Sequence, residues 1–141
     1  MMAEKRKKIA FVVHSGSLDK LYPVLMLAST GGAMDAEVHL FFTFWGMDAI
    51  KKGGMDKAKL PGVMSVGTGM MKNKIKSVGI PTLSELLAMC RDTENVKLYA
   101  CSTTMEMMDV KKEDLIPEVD EIVGAATFLD IAMDADVQMF I

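Results

Sequence analysis

The sequence of 141 residues contains two cysteines, two histidines, one tryptophan and four prolines, and each scarcity narrows the chemistry available. His14, His39, Cys90 and Cys101 do not stand at zinc-ligand spacing, and there is no C-x-x-C pair of the thioredoxin type. The tract around Cys90 lacks the T-x-x-C element of a typical peroxiredoxin. Gly67-Thr68-Gly69-Met70-Met71-Lys72 breaks the G-x-G-x-x-G pattern and follows no clear strand, and no P-loop is present, so neither a dinucleotide nor a nucleoside triphosphate site is expected. No metal or organic cofactor is implied.

Long apolar runs are also missing. The first, Ile9 to Val13, is too short for the core of a secretory signal and is not followed by a small-residue cleavage site, so a cytoplasmic location is expected. No stretch approaches the roughly 18 residues needed to cross a bilayer. Charge of one sign is not in excess either: the net charge is -3, and the basic residues are scattered except for Lys5-Arg6-Lys7-Lys8. That run predicts a solvated basic tail over residues 1–8 rather than a nucleic-acid arm, since phosphate recognition needs a basic face. Neither nucleic acid nor membrane is expected as a partner.

What is present describes a globular domain. Half the residues are hydrophobic and a quarter charged, and the length suits a single domain over 1–141. The 15 methionines are spread without a thioether cluster at fixed spacing, which favours core filling or a contact surface over a copper site.

The continuous β-branched and aromatic run Ile9-Ala10-Phe11-Val12-Val13 predicts a strand buried on both faces, ending at a turn, His14-Ser15-Gly16-Ser17. From Leu18 the residues Leu21, Tyr22, Leu25 and Ala28 recur at helical spacing, with Gly31-Gly32 as the expected stop and Pro23 tolerable if the helix starts near Leu21. Glu37 to Phe44 reads as a second strand. Residues 51–76, rich in Gly, Met and Lys, read as a long loop with at most a helical turn. Thr82 and Glu85 form a capping box that opens a helix to about Arg91. Val96 to Ala100 is a third strand, and Thr103 with Glu106 suggests a helix beginning just after Cys101. Glu121-Ile122-Val123, Ala125–Met133 and Val137–Ile141 complete a strand, a helix and a strand. Alternation throughout predicts an α/β fold with a doubly wound, mainly parallel five-stranded sheet and helices on both faces.

In such sheets ligands collect outside the carboxyl ends of the strands. His14, Ser15 and Gly16 stand at one such end, Thr43, Trp45 and Gly46 at a second, and Cys101 with Ser102, Thr103 and Thr104 at a third. A cysteine before a helix faces free backbone N–H groups and the positive end of the helix dipole, both of which favour thiolate. The hydroxyls of Ser102, Thr103 and Thr104 add donors. The competing reading is an inert buried thiol closing a strand. His14 is a candidate acid, base or ligand donor; His39, inside a strand, is structural. Trp45 walls the pocket or packs in the core or against a neighbouring subunit. Cys90, late in the helix before strand three, falls near the start of that strand while Cys101 falls at its end, roughly 16 Å apart. A disulfide allows only about 4.4–6.8 Å between Cα atoms, so none is expected within a monomer. Cys90 is then core or groove lining, with a second functional thiol as the alternative.

The segments Ser15-Gly16-Ser17-Leu18-Asp19-Lys20, Phe41-Phe42-Thr43-Phe44-Trp45-Gly46, Ala100-Cys101-Ser102 and Ala125-Ala126-Thr127-Phe128 together resemble the DsrE/DsrF/DsrH-like family, in the branch labelled DsrE-like sulfurtransferase or "peroxiredoxin family". The resemblance implies the DsrE-like fold, a trimeric or hexameric homo-oligomer, and sulfur transfer. Cys101 would accept sulfane sulfur or thiosulfonate as a persulfide-type adduct and exchange it with a TusA-like carrier or a rhodanese-like donor. Two other functions stay open: a thiol oxidoreductase or peroxidase using Cys101, and a non-catalytic module whose 51–76 loop holds a partner or ligand.

Overall fold

The structure, a computed structural model, describes residues 6–141. Five strands form one sheet in the order β4-β3-β2-β1-β5: β1 Lys8–Val13, β2 Glu37–Phe42, β3 Val96–Cys101, β4 Glu121–Val123 and β5 Val137–Phe140. Every pairing is parallel. The central strands are continuous apolar runs because both faces are covered. Phe11, Leu40, Phe42 and Leu98 are wholly buried, and each contributes roughly 2 kcal/mol through the apolar surface it removes from water. The edge strands β4 and β5 are short and exposed, which limits unwanted edge pairing.

Helices α1 Leu18–Ala33 and α4 Leu83–Asp92 pack together over one face. Helix α6 Ala125–Ala132 lies on the other. There the Phe128 ring stacks on Phe41 at 4.6 Å and meets Tyr99 edge-on at 6.2 Å. The predicted doubly wound α/β domain is the observed one.

Several local expectations are corrected. Gly31-Gly32 does not stop α1, which runs on to Ala33. These glycines allow close approach instead: a Cβ on Gly32 would stand 2.6 Å from Thr93 Oγ1 and 3.0 Å from Val96 Cγ2. The helix also starts at Leu18, so Pro23 lies inside it rather than in its first turn. The missing N–H falls opposite the carbonyl of the exposed Asp19, where water can replace it. Residues 51–76 are not a loop. They contain α2 Gly54–Lys57, a 3₁₀ segment Gly62–Gly67 and most of α3 Thr68–Ser77. No residue of α3 is buried, and only Met71 and Ile75 line a depression with Leu18, Tyr22 and Pro23 of α1, so the periodic signal was too sparse to read.

The Thr82 cap is present, with Glu85 N–H donating to Thr82 Oγ1 at 3.1 Å. The Glu85 carboxylate accepts from the threonine hydroxyl rather than from its backbone. Of the expected basic tail, residues 1–5 lie outside the described residues. Arg6 donates to Asn95 Oδ1 at 2.6 Å, and Lys8 opens β1 with an ion pair to Asp134 at 2.6 Å.

Candidate functional site

Strand register assembles the site. Phe42 pairs with Ala100, so the next residues, Thr43 and Cys101, lie side by side at the carboxyl ends of β2 and β3. Period-two alternation puts Cys101 on the same face as Tyr99. The chain then enters α5, Ser102–Met107, with Cys101 itself as the N-cap. Thr103 therefore does not cap the helix with Glu106. The helix begins two residues earlier than that box requires, leaving the Thr103 backbone N–H free to face the sulfur.

Polar groups of Thr43, Thr103 and Thr104 lie around Cys101. Burial alone would push its thiol up, but the Thr104 hydroxyl, the Thr104 backbone N–H, the Thr43 hydroxyl and the Thr103 backbone N–H outweigh that effect and hold the thiol below its usual range. Thr104 is almost completely buried and organises the group. Its hydroxyl oxygen lies 3.1 Å from Thr43 Oγ1 and accepts from the Phe44 N–H at 3.0 Å. Phe44 has φ +49, a left-handed conformation costly for an aromatic residue. The hydrogen bond to Thr104 helps hold it there. Cys101 itself is only 7 % exposed, so the sulfur sits just beneath the surface.

The other expected pocket residues have mixed placements. Gly46 packs under the end of β1, where a Cβ would lie 2.1 Å from the Val13 carbonyl oxygen. Gly16 faces the Trp45 carbonyl in the same way. Together they bring the first two strand ends into contact, and Gly46 N–H donates to the His14 carbonyl at 3.1 Å. The His14 ring lies between Phe44 and Phe140, with centroids at 5.8 and 5.5 Å. Ser15 and Ser17 bond to each other at 2.9 Å. Ser102 is half-buried, Thr103 is exposed, and the Trp45 side chain is 60 % exposed. Phe44 and Phe140 were not foreseen, and strand pairing was the only signal that could have pointed to them.

Cys90 is remote in environment. It is wholly buried in α4, its sulfur 4.0 Å from the Leu25 carbonyl, and burial pushes its thiol up to about 11. Both cysteines are free thiols. His39 is buried between Tyr99 Oη at 2.7 Å and Glu37 Oε1 at 2.8 Å, consistent with a structural role. Among the described residues, no cluster of three or more His, Cys, Asp or Glu side chains is placed to hold a metal ion.

Comparison with known proteins resolves the lineage. Residues 5–64 and 57–140 match the DsrE/DsrF/DrsH-like family. The chain belongs to that family. Among its relatives is the sulfur carrier protein DsrE2 of Allochromatium vinosum, 37% identical over 160 residues covering 97% of this chain and 99% of the relative. The uncharacterized protein YrkE of Bacillus subtilis is 32% identical over 162 residues, covering 99% and 100%. The solved structure of MTH1491, a protein of unknown function from Methanobacterium thermoautotrophicum, superposes with a TM-score of 0.54 at 15% identity, covering 96% and 99%. At that identity it speaks for the fold alone. Membership of the DsrE/DsrF/DrsH-like family with a sulfur carrier among its relatives supports a sulfur-relay role in general. Among the described residues no helix is long and apolar enough to cross a membrane.

Proposed function

We propose that this protein is a cytoplasmic sulfurtransferase of the relay type, carrying sulfur as a persulfide on Cys101. The observation that carries the proposal is the place of Cys101 as N-cap of α5, beside the paired hydroxyls of Thr43 and Thr104, with its thiol held below its usual range. A lowered thiol is both a nucleophile near neutral pH and a good leaving group. Cys90, wholly buried and pushed up to about 11, has neither property and serves the core.

In the loading step the Cys101 thiolate attacks the outer sulfur of a donor persulfide. The donor's S–S bond breaks, its thiolate leaves, and the outer sulfur with its proton or charge is now bonded to Cys101. A donor that carries its sulfur as a thiosulfonate, R–S–S–SO3−, reacts at the outer divalent sulfur: the bond between the two divalent sulfurs breaks, the donor thiolate leaves, and S–SO3− is transferred to Cys101 as a unit. In the unloading step an acceptor thiolate attacks the outer sulfur, and Cys101 departs as a thiolate stabilised by its polar surroundings. Each step exchanges one S–S bond for another, so no outside oxidant or reductant is consumed. Thr43 and Thr104 hold the charged sulfur, while His14, Ser15, Gly16, Trp45, Gly46, Ser102 and Thr103 shape the approach.

A TusA-like carrier is the proposed acceptor and a rhodanese-like protein the proposed donor. A homo-oligomer, trimeric or hexameric, is supported by the apolar surface over α6 and β5. There Leu129, Met133 and Phe140 are 52, 72 and 71 % exposed around a cavity of about 430 Å³. The transfer is tested by mixing sulfur-loaded protein with a TusA-like carrier that has one cysteine, then reading the mass of each partner. Loss of one sulfur atom from Cys101 and its gain by the carrier is expected. A loaded Cys101 that releases sulfur to no thiol acceptor contradicts the relay.

A further inference from the structure

Residues 57–84 hold Lys57, Lys59, Lys72, Lys74 and Lys76 and not one carboxylate, in a chain whose net charge is -3. The same stretch carries unusually bare apolar side chains. Val63 is 89 %, Met64 59 %, Val66 94 % and Met70 79 % exposed. Scattered exposed apolar residues are ordinary, but four within eight positions are not. The two features adjoin in space: Val66 and Ser65 line one surface depression with Lys57, Lys59 and Lys72. The backbone there is ordered, with Leu60 N–H donating to Thr68 Oγ1 at 3.0 Å and Lys72 Nζ to the Asp56 carbonyl at 2.8 Å. Among the described residues none of Lys57, Lys59, Lys74 and Lys76 forms an ion pair with a carboxylate.

We infer that the 3₁₀ segment Gly62–Gly67 and the start of α3 form a docking surface for an anionic lipid bilayer. Among the described residues no helix is long and apolar enough to cross a membrane, which leaves attachment to a bilayer surface open. Apolar side chains with basic neighbours are what an interfacial element needs: the former enter the headgroup boundary and the latter meet anionic headgroups. Valines exposed at 89 and 94 % protrude from the surface, a geometry suited to a soft partner that closes around a protruding side chain. One carboxylate, Asp56, also lines that depression and accepts from Ser84 Oγ, while Asp19 stands on α1 and Glu85 on α4. Leu18 N–H donates to the Lys59 carbonyl at 2.7 Å, so this surface adjoins the β1–α1 turn, at the same end of the sheet as Cys101. Attachment would bring the sulfur site close to the bilayer.

The test is co-sedimentation of the full chain with vesicles of phosphatidylcholine alone or mixed with phosphatidylglycerol. Binding to the anionic vesicles that falls as salt is raised is expected. Lys72→Gln, Lys74→Gln and Lys76→Gln should each weaken it about fivefold at low ionic strength. The combined variant Val63→Ser, Val66→Ser, Met70→Ser should weaken it by about tenfold or more, with an unchanged Cys101 alkylation rate reporting an intact fold. No binding to anionic vesicles at low salt overturns the inference, as does equal binding by the combined variant. Retention by an acidic protein surface without any partition to vesicles also overturns it, in favour of a protein partner.

Discussion

Thr104→Val replaces a buried hydroxyl by a methyl group of the same shape and removes one donor from the Cys101 sulfur. A hydrogen bond to a charged group contributes about 1.5–3 kcal/mol, and taking the lower figure the thiolate population below the titration midpoint falls about tenfold. A more basic thiolate is also more nucleophilic, by about threefold for that change. Alkylation by iodoacetamide should therefore slow about threefold at pH values below both midpoints. It should become about threefold faster on the alkaline plateau, so that the two pH–rate curves cross. The Phe44 N–H loses its acceptor, at a cost of about 1–3 kcal/mol, which urea unfolding will report separately. Altered packing alone changes access at every pH alike and produces no crossing. Superimposable curves, or a midpoint that moves down, would refute the idea that side-chain donors hold the thiol low.

Four further outcomes follow from the same geometry. Cys90→Ala should leave sulfur loading intact and lower stability by about 1 kcal/mol in urea unfolding, because Cys90 is core. His39 is pulled below its ordinary value first by burial, against the opposing Glu37 hydrogen bond. The unfolded chain thus takes up that proton first, so stability is full above about pH 6.5 and falls as the medium is acidified. His39→Asn should flatten this slope in urea midpoints compared at about pH 7.5 and about pH 5. Asp120→Asn disrupts a two-pronged pair with Arg91 at 2.9 and 3.0 Å. Because both side chains are partly exposed, the expected loss in thermal unfolding is modest, about 1–2 kcal/mol. Gly46→Ala places a Cβ against the Val13 carbonyl and should cost about 3 kcal/mol while slowing Cys101 alkylation, since Thr43 and Phe44 must shift with it.

The strands were legible because burial on both faces favours apolar, β-branched and aromatic runs, as at Ile9–Val13 and Val96–Ala100; the second strand, expected to reach Phe44, ends at Phe42, where a 3₁₀ segment begins at Phe44. Cys101 was legible for a similar reason: a strand that ends on a cysteine and turns at once into a helix places the thiol against backbone donors. Less was visible wherever the deciding contact was distant in the chain. Glycines at 31 and 32 look like a helix stop, yet Gly31 is set by Ile9 and Val38 of the sheet and Gly32 by Thr93 and Val96, some sixty residues away. Thr104 resembled any residue of a first helical turn, and only the pairing of β2 with β3 reveals that it joins Thr43 and Phe44 to the sulfur. Helix α3 escaped notice because just two of its residues face inward, and its exposed valine and methionine neighbours blur the period.

The most direct measurement is the site of sulfur addition. The native protein is incubated with a low-molecular-weight persulfide, trapped with an alkylating reagent and mapped by peptide mass spectrometry. One added sulfur atom on the Cys101 peptide, with Cys90 unmodified, is the predicted result. Sulfur found on Cys90 alone, or on neither thiol while the donor remains intact, would contradict a relay built on Cys101.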